Sequence, residues 1–595
     1  MFPLRQQMTS ASQSGILKRR IIFAALCSAT FCALLGLATA ALSVHGLSYL
    51  DLILLGFFVC TLPWTVIGFW NAMVGFLVMR LSRDPISTVL PAASRVRGDE
   101  PITASTAITV FVRNELPDRV IRNLDALLAD LATAGVQDKF HLYVLSDTSD
   151  RAVADLEEAK FGALADLWRG RVDITYRRRS ANTAFKAGNF WDFCERWGDR
   201  HDFALPFDTD SFMPASAILR MLRIMQTEPN LGILQSLVVG LPSTSAFTRI
   251  FQFGMRLGMR SWTIGSAWWQ GDCGPYWGHN ALIRIASFKA HCHIAQLPKG
   301  SLLGDHILSH DQIEAALMRK GGYDVRVLPE ENLGWEENPP SLVEYLRRDQ
   351  RWMQGNLQYG RFLFMDGLKF VSRFQLGFAM LMFLSSPAWI GLLVAGTLGA
   401  ALARAPGDFI DPRLGTMLMT FIFVMWFAPK IATALDVLIR PSLRDAFGGV
   451  LRFLGSLFVE TLFFILLSPI MWVSHTMFLA GLPFGRTVGW IGQLRDDHRI
   501  SWRSAARYFW MHTFIGWGAI SALALTHPGA IPYALLIAAG PAIAIPFAVL
   551  TSIPAVGRFF VRIGLGRLPE ETSPPITLAP LALPVFALSP RSRPL

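Results

Sequence analysis

Apolar and polar stretches alternate along this chain on two length scales. On the longer scale, a first apolar segment runs from about 21 to 44 and a second from about 50 to 79. Each is long enough to cross a bilayer as a helix. From about 85 to 370 the chain turns polar, and apolar segments return at about 376–403, 414–436, 452–486, 506–527 and 531–552. On the shorter scale, the polar region itself alternates. AITVFV (107–112), FHLYVLSD (140–147) and FALPFDTD (203–210) are strand-like runs. RNELPDRVIRNLDALLADLATAG and SAILRMLRIMQTEP, which follow the first and third runs, repeat apolar residues at helical spacing. Strand followed by helix, repeated, predicts an α/β domain with a mostly parallel sheet and helices on both faces, inserted in an α-helical polytopic membrane domain.

Composition agrees with that plan. Of 595 residues, 52% are hydrophobic and only 17% charged, where a soluble domain carries about a quarter. The net charge of +11 fits Lys and Arg beside membrane spans on the cytoplasmic side better than nucleic-acid binding. The six cysteines form no CxxC, which argues against a zinc site or disulfide framework. The arginine-rich segments RPSLRD (440–445), GQLRDDHRISWRSAAR (492–507) and GRFFVRIGLGR (557–567) should all face the cytoplasm. An even number of crossings must then separate the first two. A hairpin or an interfacial stretch over 452–486 satisfies this and a single span does not. Six to eight crossings and cytoplasmic termini follow. Glu460 and His475 are ionisable groups within the apolar segments and are candidates for an inward-facing channel lining.

Ligands bind beyond the carboxyl ends of the strands in such sheets, and that is where the acidic residues fall. Asp208-Thr209-Asp210 puts two carboxylates on one side of an extended segment, a pair of hard ligands for Mg²⁺ or Mn²⁺ that would neutralise a leaving diphosphate. Asp147 ends another strand, within reach of a uracil or ribose. Glu115 lies beside it after the first strand, and Lys186 in FKAGN (185–189) can contact diphosphate or base. Asp311, at the head of a helix with Ser309 as a possible cap, is the candidate general base; Asp305, His306 and His310 are its rivals. In RRDQRWMQGN (347–356), Trp352 can stack on a sugar face and Arg348 or Arg351 can pair with diphosphate oxygens. The same run reads as an amphipathic interfacial helix.

The order of Asp147, Asp208-Thr209-Asp210, Asp311 and Arg351-Trp352 resembles the processive glycosyltransferase family 2 enzymes, such as cellulose and hyaluronan synthases. ILSHDQIEAALMRKGGY, WGHNALIR (277–284), RRDQRWMQGN and LSSPAW (384–389) resemble the glucans biosynthesis glucosyltransferase H subfamily. That resemblance implies a glycosyltransferase-A-type fold and a bacterial inner-membrane enzyme that builds a β-1,2-linked glucan from UDP-glucose, with translocation. It implies a UDP contact for Asp147, metal binding for Asp208 and Asp210, and base catalysis for Asp311. It also implies links to a periplasmic glucan-processing protein and acyl carrier protein. Arg348 stands where cellulose synthases have glutamine. Arg495, Asp496 and Asp497 occupy the place of their gating loop without matching its motif, and are candidates for a second nucleotide contact. A synthase of another β-linked polysaccharide and a non-catalytic, nucleotide-regulated transporter are the alternatives. The expected organisation is 1–84 (cytoplasmic N-terminus and two spans), 85–370 (cytosolic transferase domain ending in the interfacial helix), 371–568 (membrane bundle with a cytosolic loop near 490–505) and 569–595 (irregular tail).

Overall fold

The computed structural model describes residues 2–588 apart from 296, 298–299, 406 and 490–494, with side chains from Ser14 onward. The strands are β1 (Thr106–Val112), β2 (Phe140–Ser146), β3 (Asp173–Arg178), β4 (Phe203–Phe207), β5 (Leu231–Ser236), β6 (Val238–Gly240), β7 (Ala281–Arg284), β8 (Asp324–Leu328) and β9 (Gly334–Glu336). Seven form one sheet in the order β3-β2-β1-β4-β7-β5-β8. All neighbours are parallel except β7, which runs against both β4 and β5. β6 and β9 make a separate parallel pair. Both faces of the sheet are buried. Ile108, Leu142, Val144 and Leu205 point to a core shared with Leu124, Leu128, Ile218 and Leu222. Their neighbours Ala107, Tyr143, Leu145 and Ala204 point to the other, against Phe190, Phe193, Ile313 and Met318. That two-sided burial explains the unbroken apolar runs in the sequence.

Among the described residues, five helices are long and apolar enough to cross a membrane: Ser14–Leu42, Tyr49–Leu81, Phe370–Leu402, Pro412–Ile439 and Val450–Phe484. A bent pair, Pro528–Ala542 with Ala544–Thr551, adds a sixth if it counts as one span. The 452–486 region is one continuous helix, Val450–Gly481, so the hairpin expectation fails. Its length and composition are those of a single membrane span. Phe453 near its start packs with Phe253 and Leu257, and Phe463 and Leu467 in its middle meet Phe247 and Leu346. Phe478 near its end packs with Met353. All those partners belong to the α/β domain, and the same helix also packs on Phe383 and on Phe547, Ala548 and Val549 of the apolar helices, so it bridges the two parts. The three arginine-rich segments also touch the α/β domain: Leu443 packs on the cluster of Phe253 and Leu257, Arg495 reaches Asp210 at 2.5 Å, and Arg249 bonds Leu565 O at 2.6 Å.

A helix the sequence reading passed over, Ala246–Gln270, joins the two parts of the molecule. It crosses the second membrane helix at two glycines so closely that backbones touch. A Cβ on Gly265 would lie 1.8 Å from Asn71 O, and one on Gly75 would lie 1.7 Å from Ser261 O. Small residues permit this approach. Gly265→Ala should therefore lower thermal stability in detergent by about 1–3 kcal/mol or more. Gly258→Ala on the same helix has nothing within 4 Å of its new methyl and should be neutral. Equal melting of the two variants would refute the contact.

The tail expectation is corrected. Within 569–588, Leu578, Leu581 and Val585 are fully buried in the main core of the α/β domain. Glu570 pairs with Arg256 and Glu571 with Arg249, each at 2.9 Å. Buried charges need partners, and here the partners fix where the strap lies.

Candidate active site

Each strand of the parallel half delivers one part of a pocket at its carboxyl end. Phe111, Arg113 and Glu115 come from β1 and its loop, Asp147 follows β2, and Asp208, Thr209 and Asp210 follow β4. Lys186, Trp277, His279, Glu336, Arg348, Arg351, Trp352 and Arg495 complete the lining. Residues far apart in sequence thus converge, and they include nearly every candidate site residue. Asp496 and Asp497 lie outside the pocket. They latch their loop to the domain, Asp496 accepting from Arg119 at 2.9 Å and Asp497 from Thr244 Oγ1 at 2.5 Å.

The acid pair is charge-compensated by side chains. Asp208 forms an ion pair with Lys186, and Asp210 pairs with Arg495 at 2.5 Å. Burial pushes the Asp208 carboxyl up, but Lys186, His279 and Arg495 outweigh it and hold it well below the usual range. Glu115, Glu336 and Glu337 are raised by burial. Among the described residues no cluster of three or more His, Cys, Asp or Glu could by itself cage a metal. Two hard carboxylates held by cationic side chains fit an ion whose remaining ligands come from diphosphate and water. Lys186 is the second residue of the Phe185–Trp197 helix. Ala184 (φ 55°) and Phe185 (φ 49°) take left-handed conformations before it.

Asp147 has both oxygens engaged by Arg179, whose Nε and Nη2 donate at 2.7 Å each. Asp147 therefore orients an arginine that sequence reasoning missed, although RRRS at the end of β3 carried the signal. Burial, with Arg348 and Arg495 close by, lowers the Arg351 pKa to about 10 despite the pull of Asp208 and Asp210. A guanidinium crowded by other cations favours an anion beside it. Arg348 lies over Trp352 at 4.7 Å and over Tyr345 at 5.5 Å, which leaves Trp352 as the half-exposed face of the platform.

Asp311 stands at the rim, against Gly278. A Cβ built there would lie 3.6 Å from Asp311 Cβ and 3.9 Å from Lys186 Nζ, and the glycine has φ +82°. Ser309 is not the helix cap; His310 holds that position. Ser309 Oγ instead donates to Asp311 Oδ1 at 2.9 Å and lies 2.7 Å from Tyr359 OH. Serine has one proton to give, so Tyr359 donates to Ser309. Burial raises the Tyr359 pKa, which keeps that donor protonated. The rival His310 is occupied, its Nδ1 2.9 Å from Glu314. Asp305 and His306 line a separate cavity beside the start of the Phe185–Trp197 helix.

A carboxylate pair suited to a cation, an anion-seeking arginine, a stacking tryptophan and an oriented carboxylate above apolar helices define a membrane-bound glycosyl transferase. The sequence model of glycosyl transferase family group 2 matches residues 205–549. Curated relatives named glucans biosynthesis glucosyltransferase H include one from Xanthomonas campestris pv. campestris (strain B100), 32% identical over 552 residues that cover 90% of this chain and 84% of the relative. One from Shewanella oneidensis is 33% identical over 557 residues, 90% of this chain and 74% of the relative. The chain belongs to the glucans biosynthesis glucosyltransferase H family of glycosyl transferase group 2. Among solved structures it is similar to a mannosyltransferase from Pyrobaculum calidifontis in complex with GDP-Man and Mn²⁺, at 15% identity and TM-score 0.37 over 61% of this chain and 98% of that one.

Proposed function

We propose that this chain is an inverting glucosyltransferase of the bacterial inner membrane that polymerises glucose from UDP-glucose into a β-1,2-linked glucan and passes it toward the periplasm. The observation that carries the reading is the convergence on one pocket of Asp208, Asp210, Lys186, Arg351 and Trp352, with Asp311 at its rim. Trp352 and Arg348 hold the acceptor sugar. Asp311, aimed by Ser309 and Tyr359, takes the proton from the acceptor hydroxyl as its oxygen attacks the anomeric carbon. Attack from the face opposite the diphosphate inverts the centre, so an α-linked donor yields a β-linkage. Lys186 and Arg351 stabilise charge on the departing UDP. Mg²⁺ or Mn²⁺ on Asp208 and Asp210 would supply further charge neutralisation there. The arginine-rich segments beside the spans support a cytoplasmic α/β domain, where UDP-sugars are.

Purified protein in nanodiscs, given UDP-[¹⁴C]glucose and Mg²⁺, should release UDP and make an elongating, 1,2-linked glucan. A 1,4-linked product would overturn the β-1,2 assignment, and absence of UDP release would overturn the enzyme reading.

A further inference from the structure

The acceptor helix Leu342–Leu357 presents Arg348, Arg351 and Trp352 to the pocket. About 100° round the same helix, one residue after Arg348, Asp349 is buried against the apolar helix Val450–Gly481, where its carboxylate bonds His475 Nε2. His475 Nδ1 in turn meets Ser386 Oγ at 2.8 Å. Ser386 is fully buried and begins the Ser386–Leu402 helix, at the break that follows Phe370–Leu384. The adjacent Ser474 bonds His512 Nε2 of the Trp502–Thr526 helix at 2.8 Å. Three helices thus meet at His475, and the neighbouring Ser474 ties in a fourth. Phe383 packs on the imidazole at 5.1 Å and Met353 and Phe478 lie beside it. Apolar packing of equal volume would serve stability as well as a buried Asp–His contact. What the polar contacts add is register, because the Asp349–His475 and His475–Ser386 contacts form together only when the three helices that carry them are aligned.

We propose that Asp349, His475 and Ser386 are positioning residues for glucan transfer. They lock the acceptor helix to the membrane bundle, so that Trp352 keeps its place relative to Asp311 while the product moves on. Glu460, on the same helix as His475, is tied to Lys430 at 2.7 Å and takes no part in these contacts. The proposal rests on the acceptor role given above to Trp352.

The test is acceptor kinetics and product length in nanodiscs. His475→Phe should raise the KM for an exogenous glucan acceptor about tenfold and shorten the products. The KM for UDP-glucose and the kcat at saturating acceptor should stay within about twofold. His475→Gln, which keeps a donor and an acceptor, should restore most of the effect. Ser386→Ala should show a weaker form of it if His475→Phe folds poorly. Unchanged acceptor KM and product length in both His475→Phe and Ser386→Ala, or a uniform fall in kcat alone, overturns the relay. Wild-type protein that makes no glucan sinks the function reading instead.

Discussion

Asp311→Asn should lower glucosyl transfer on the order of 10²–10⁴-fold, the usual contribution of a positioned general base, while UDP-glucose binding stays within a few-fold. Asparagine keeps the shape and can still accept from Ser309, so the loss isolates proton transfer from architecture. The acid limb of the pH–rate profile, which reports loss of the base form, should vanish in the variant. His310 cannot substitute: burial works against its charge, yet its contact with Glu314 raises its pKa and keeps it committed to that pair. Tyr359→Phe tests the orienting chain separately. It removes the donor to Ser309, should cost about tenfold and should leave the acid limb in place. An Asp311→Asn variant with more than about a tenth of wild-type activity would place the base elsewhere.

Asp210→Asn should be nearly as severe, on the order of 10³-fold, because it removes half of the carboxylate pair that would hold the ion at the leaving group. Arg495 sharpens that expectation. Its guanidinium pairs with Asp210 at 2.5 Å and lies 3.8 Å from Glu115, so an incoming cation and Arg495 compete for one carboxylate. The same acids raise the Arg495 pKa against the opposing effect of burial. Arg495→Ala should therefore tighten Mn²⁺ binding to the nucleotide-free protein about tenfold, read by electron paramagnetic resonance, and Asp210→Asn should abolish it. Equal Mn²⁺ affinity in wild type, Arg495→Ala and Asp210→Asn would remove the metal from this pair.

The strand-end acids were legible because a β-strand fixes which end of the sheet its last residue reaches, whatever packs around it. Asp208 and Asp210 follow β4 and Asp147 follows β2 as the alternation predicted. Side-chain partnerships were not legible. Nothing local tells Asp147 that Arg179 will take both its oxygens, or Asp210 that Arg495, 285 residues on, will reach it. The Ala246–Gln270 helix buries polar as well as apolar residues, Arg249, Gln252 and Arg256 among them, so hydrophobicity alone does not reveal how deeply it sits. The prolines of 569–588 suggested irregularity, yet turns are compatible with burial once Arg249 and Arg256 supply counter-charges.

The sequence by itself determined the alternation of spans and α/β domain, the family, and which carboxylates end strands, since these depend on periodicity and on motifs within one segment. Only the tertiary structure decided that Val450–Gly481 bridges the α/β domain and the apolar helices, that the C-terminal strap enters the α/β core, and that the Leu342–Leu357 helix is tied through His475 to the bundle. Those outcomes depend on which surfaces meet, and a hydrophobic or charged residue records the need for a partner without recording which one.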